Sequence, residues 1–119
     1  MFKGLVKLLN NMLTKGQAEK IREDSAIDDK TLSLVFSALS DPGRLRILKI
    51  LMKHRDVCVS DVANVLNVSV PAASRHLSIL ESSGLVEKVR MGQSTCFRVL
   101  ENNQTIKSVI KVLEKVENQ

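Results

Sequence analysis

The chain has 119 residues, enough for one domain and little more, and its 44% apolar and 26% charged content belongs to a folded globular unit, not a disordered or fibrous one. Aromatics amount to 3%, with no Trp or Tyr, so the core must be aliphatic. Eighteen Lys and Arg against thirteen Asp and Glu leave a charge of +5, the sign expected of a polyanion binder, while two distant cysteines exclude a disulfide framework and point to a reducing, cytoplasmic setting.

Phe2, Leu5, Val6, Leu9, Met12 and Leu13 recur at helical spacing, which predicts an amphipathic helix over residues 1–13 ending near Gly16. Lys3, Lys7 and Asn10 interrupt it and no small-residue cleavage site follows, so neither a leader nor a membrane span is expected. Residues 17–30 are polar, with Ala18, Ile21 and Ile27 as the sizeable apolar points, and read as a marginal helix or connector. Leu32, Val35, Phe36 and Leu39 predict a helix over residues 31–39. Asp41-Pro42 then starts another, because the carboxylate accepts orphan backbone donors and proline at the first position sacrifices no bond. That helix runs to about His54 on Leu45, Leu48, Ile50, Leu51 and Met52.

Val57-Cys58-Val59 is too short for a helix and reads as a strand. Ser60-Asp61 is expected to cap a two-turn helix carrying Val62, Ala63, Val65 and Leu66. After the Asn67-Val68 turn, Ser69 caps a helix over residues 70–83, buried along Ala73, Leu77 and Leu80 and ended by Gly84. Two β runs, residues 85–90 and 95–100, flank Met91-Gly92-Gln93-Ser94 as a hairpin. A last helix carries Ile106, Val109, Ile110, Leu113 and Val116 on one face.

The order helix, short strand, short helix, turn, helix, hairpin is that of a winged helix-turn-helix: mainly α with a small β-hairpin, an α+β fold. Residues 1–30 form an N-terminal amphipathic helix and polar connector, and residues 31–119 the winged domain with its C-terminal helix. In such an arrangement the second helix of the pair enters a major groove. With Ala73, Leu77 and Leu80 buried, Ser69, Val70, Ala72, Ser74, Arg75 and His76 lie at or near its leading end. Arg75 reads a base edge or touches only phosphate, and His76 contacts DNA or packs beside Leu77. Lys88, Arg90, Gln93, Ser94 and Arg98 make the hairpin either a phosphate-gripping wing or a solvated one, and Arg44, Arg46, Lys49 and Lys53 form a second basic strip.

Leu39-Ser40-Asp41-Pro42-Gly43-Arg44-Leu45-Arg46-Ile47-Leu48, Ser74-Arg75-His76-Leu77 and Gly84-Leu85-Val86 resemble the ArsR/SmtB family of metal-responsive repressors over roughly residues 32–118. The resemblance implies a homodimeric repressor on double-stranded DNA, with the first and last helices at the interface. Leu5, Leu9 and Met12, with Ile106, Val109, Ile110 and Leu113, supply the two apolar stripes. Residues 1–13 otherwise fold onto their own domain or lie on a membrane surface.

Metal-sensing members of that family carry Cys-x-Cys after the strand, but here Ser60 follows Cys58 in place of the second thiol. Residues 103–119 contain no histidine for a site on the last helix, so no metal or other cofactor is expected. In a winged helix the short strand pairs with the hairpin's second strand, which sets Cys58 across from Cys96. The two are either a thiol pair able to bridge or two inert small hydrophobes. A metal, a thiol-reactive species or another small inducer would release such a repressor from its operator. The competing function is a winged-helix module that binds an acidic protein, and no nucleophile, base and orienter set supports an enzyme.

Overall fold

The computed structural model describes residues 12–25 and 29–118. The chain divides into two compact units, Met1–Lys30 and Thr31–Gln119. In the first, helix α1 spans Lys15–Ser25. Thr14 and Gln17 cap it reciprocally: the Gln17 N–H donates to Thr14 Oγ1 at 3.1 Å, and the Thr14 N–H donates to Gln17 Oε1 at 2.9 Å. Gly16 therefore lies in the first turn of a helix instead of ending one, a correction the Thr-x-x-Gln spacing explains. Leu5 and Leu9 lie outside the described residues, and Met12 is exposed ahead of α1.

Helix α2 (Asp29–Leu39) begins at the end of the first unit and runs into the second, where α3 (Pro42–Lys53), β1 (Val57–Cys58), α4 (Val59–Leu66), α5 (Val70–Ser82), β2 (Val86–Met91), β3 (Ser94–Val99) and α6 (Gln104–Glu117) follow in order. The strands form one antiparallel sheet in the order β1-β3-β2. From α2 onward, every element except the two-residue β1 places a residue in a single, mainly aliphatic core, from Val35 and Ala38 through Ile47, Leu48, Leu51, Val62, Leu77, Leu80, Val86 and Phe97 to Ile106 and Ile110.

Local chemistry fixes the helix ends. Asp41 caps α3, its Oδ2 accepting the Arg44 N–H at 3.0 Å, and Pro42 follows it. Helix α4 begins earlier than Ser60-Asp61 capping would put it. Cys58 is the N-cap, Val59 is helical instead of strand, and Asp61 reaches back to accept the Cys58 N–H at 3.3 Å. Asn67 closes α4 in the left-handed conformation at φ 55°, turning the chain directly into Ser69, whose hydroxyl accepts the Ala72 N–H at 3.2 Å at the start of α5.

Gly84, at φ 83°, ends α5 with the Leu85 N–H on the Leu80 carbonyl and the Gly84 N–H on the Glu81 carbonyl, and buried Leu85 packs over that turn. Helices α4 and α5 are thus set at a tight, short turn, and the hairpin leaves directly from the end of α5.

Candidate nucleic-acid interface

Ala73, Leu77 and Leu80 sink one face of α5 completely into the core. The opposite face is left open: Ser69, Val70, Ser74, Arg75 and Ser78 are exposed, and Ala72 is partly so. All of these but Ser78 lie in the first two turns, near the helix N-terminus, where free backbone N–H groups and the helix dipole favour an anion. No acidic side chain among the described residues pairs with Arg75.

His76 departs from this row. It turns toward α3, with Nδ1 3.8 Å from Asp41 Oδ2 and 3.4 Å from Arg44 Nη1, and its ring also lies beside Gly43. Arg44 in turn donates from Nε to the Ala38 carbonyl at 2.7 Å. This junction joins the end of α2, the start of α3 and the middle of α5, so it positions the outer face of α5 rather than adding to it.

The Asp41 carboxyl is held below its ordinary value of 3.8, first by the Arg44 backbone N–H; desolvation, next in size, opposes this, and the charges of Arg44 and His76 add to the lowering. Its folded value is depressed, so its contribution to stability is full above the unfolded value and is lost as the pH falls through the folded one. Melting curves from about pH 5 to about pH 2 should show wild type and Asp41→Asn converging in the acid arm. A constant gap between them across that range would remove the charge from the account.

Strand alternation sorts the wing. Lys88 and Arg90 share a face with their cross-strand partners Phe97 and Thr95, and both are exposed. Gln93 and Ser94 are exposed at the tip, where Gly92 takes φ 63°. Arg98 is on the other face and is already engaged: its Nε is 3.0 Å from Glu87 Oε1 and 3.7 Å from Asp56 Oδ1, as ion pairs without hydrogen-bond geometry. The second basic strip is similarly occupied, since Lys49 and Lys53 pair with Glu117. Glu117 is held below its ordinary carboxylate value mainly by that contact with Lys49.

Between α5 and the hairpin runs a cleft of about 430 Å³ lined by Ser60, Ser74, Ser78, Lys88, Thr95 and Cys58. Ser78 and Thr95 were not among the residues singled out from sequence. Thr95 was discoverable from the pairing that sets it opposite Arg90.

The ladder places Cys58 opposite Cys96, and their sulfurs are bonded to each other. Both lie on the face opposite Phe97, yet Cys96 is fully buried. Bonded to each other, neither sulfur is free to act as a thiolate ligand in this form, and no group of three or more His, Cys, Asp or Glu gathers among the described residues.

On the apolar stripes, Ile106 and Ile110 are buried in this chain's own core and are not available to a partner, because α6 uses that edge to close the domain. Val109 and Leu113 instead join Leu32, Phe36, Leu39 and Val112 around an apolar groove of about 510 Å³ between α2 and α6. Among the described residues no helix is long and apolar enough to cross a membrane.

Comparison with known proteins agrees with this architecture. The model of the arsR family of bacterial regulatory proteins matches residues 41–88. An uncharacterized HTH-type transcriptional regulator of Methanocaldococcus jannaschii is 30% identical over 82 residues, covering 69% of this chain and 90% of that one. A Synechocystis SmtB homolog, named a transcriptional repressor, is 40% identical over 68 residues, 57% of this chain and 51% of its own, so the chain spans about half of that relative's length.

Among solved structures, the homodimeric winged helix-turn-helix DNA-binding domain of Mycobacterium bovis Mb0332, a possible ArsR-family regulator, superposes with a TM-score of 0.65 at 26% identity, covering 82% of this chain and 85% of that one. HlyU from Vibrio cholerae, at TM-score 0.68 and 24% identity over 78% of this chain and 98% of its own, supports the fold alone. A mainly helical winged helix-turn-helix with a three-stranded sheet, an open leading face on α5 and these relatives make this chain a member of the arsR family of bacterial transcriptional regulators.

Proposed function

We propose that this chain is a cytoplasmic, sequence-specific repressor that binds double-stranded DNA as a homodimer and leaves its operator in response to a small inducer or a change in thiol state. The observation that carries the reading is the uncovered outer face of α5, with Ser69, Val70, Ala72, Ser74 and Arg75, beside the exposed Lys88 and Arg90 of the wing. The helix reads base edges in the major groove, while Lys88, Arg90, Gln93 and Ser94 hold flanking phosphates. His76 and Arg98 serve position and fold instead, because their side chains already face in-chain partners.

The homodimer reading is supported by the apolar groove between α2 and α6 and by exposed Phe36 and Val112 on its rim, a face best covered by a second copy. Two such copies present two α5 helices to half-sites about 34 Å apart on one side of a duplex.

Selection of duplexes from a random pool by the reduced full chain, followed by binding of the winning duplex at rising salt, tests this. The expected result is a preferred, two-fold-related sequence and an affinity that falls steeply with salt. Equal binding to all duplexes, with retention by an acidic protein instead, would make the wing and α5 a protein-docking face. Sedimentation as a monomer at micromolar concentration would remove the dimer.

A further inference from the structure

Cys58 and Cys96 face each other in the β1–β3 ladder with Cα atoms 3.7 Å apart, but their surroundings differ. Cys96 is 0% exposed, whereas Cys58 is half-buried. Cys58 is also the N-cap of α4, so one residue ends the strand and begins the helix-turn-helix. Strand β1 has two residues and meets β3 through the pairs Val57 with Phe97 and Cys58 with Cys96. A covalent link here fastens the wing's central strand to the first helix of the DNA-reading pair, across a ladder that is otherwise minimal.

We propose that Cys58 and Cys96 are a reversible two-electron switch in which half-exposed Cys58 meets hydrogen peroxide, buried Cys96 resolves it, and the resulting bridge weakens operator binding by locking the wing against α4. The regulatory part rests on the DNA-binding reading above; the thiol chemistry does not. In the first step the Cys58 thiolate attacks a peroxide oxygen. The S–O bond forms, the O–O bond breaks, and the departing hydroxide takes up the thiol's proton and leaves as water.

In the second step Cys96 attacks Cys58 Sγ. The S–S bond forms, the S–O bond breaks, and hydroxide departs with the Cys96 proton as a second water. Two thiols are oxidised to one disulfide while one peroxide is reduced to two waters. A dithiol reverses the change by exchange, entering at Cys58 because that residue is half-exposed while Cys96 is fully buried. Docking needs α5 in the groove and the wing on the flanking backbone together, and the Cys58–Cys96 pair is one of the points that tie β3 to the start of the helix pair. Without the bridge, β1 holds β3 by two residue pairs; the bridge adds a covalent restraint at one of them.

The test treats the full reduced chain with hydrogen peroxide and then with dithiothreitol. The intact mass should fall by about 2 Da with loss of both reactive thiols, and dithiothreitol should restore them. Cys96→Ser, which lacks the resolving thiol, should be trapped by dimedone at Cys58, whereas Cys58→Ser should keep an unreactive buried thiol. On the selected duplex the oxidised wild type should bind about tenfold more weakly than the reduced one. That comparison needs no variant to fold.

Thiols that survive peroxide in the folded wild type would overturn the chemistry. Equal affinities, or tighter binding by the bridged form, would overturn the regulation. A reduced protein that selects no duplex would overturn the DNA reading and the regulation with it, while mass and trapping still decide the switch chemistry.

Discussion

Leu77→Ala should lower the unfolding free energy by about 3 kcal/mol, read as a shift of the urea midpoint at unchanged slope. Leu77 is fully buried on the inner face of α5, within the core that α3, α4 and β2 also build. Its truncation removes apolar contact and leaves a cavity that close-packed neighbours from several elements cannot all move to fill. At the next position on the same helix, Ser78→Ala faces the solvent side and should change stability by no more than about 0.5 kcal/mol. The contrast between neighbouring positions is what the placement of α5 demands. If both substitutions had the same small effect, the helix would not be seated by the Ala73, Leu77, Leu80 face, and its outer row would lose its definition.

That inner face was readable from the sequence because a 3.6-residue period needs only a few aliphatic points to show itself, and Ala73, Leu77 and Leu80 supply them. Caps with short polar side chains before proline, such as Asp41 and Ser69, were legible for the same reason: the chemistry is local. What failed was decided at longer range or by unusual caps. Cysteine is not an expected N-cap, so the start of α4 was displaced from Cys58 to Ser60-Asp61, although the Asp61 carboxylate that reaches back was in view. Nothing in a stripe says which domain will bury it, so Ile106 and Ile110 looked available to a partner while Phe36 and Val112 are what the fold leaves outside. The engagement of Arg98 by Glu87 and Asp56, and of His76 by Asp41 and Arg44, depends on pairings up to 42 residues apart that no local pattern encodes.

Arg75→Ala should weaken binding to the selected duplex by about 10- to 100-fold and relax the preference at one base pair of each half-site. Arg75 is exposed on the leading half of α5 and carries no in-chain ion pair among the described residues, so its guanidinium is free to make a bidentate contact when the helix enters the groove. Two controls separate readout from charge. Lys88→Ala, on the exposed face of the wing, should weaken binding to every sequence about equally and lower the salt slope by about one, because a phosphate contact carries no base information. Arg98→Ala removes the same formal charge from the same hairpin, yet should scarcely alter affinity, since Glu87 and Asp56 already neutralise that guanidinium within the chain. Were Arg75→Ala to act like Lys88→Ala, uniformly across sequences, Arg75 would be a phosphate anchor, and base readout would pass to Ser74 and Ala72 on the same exposed turn.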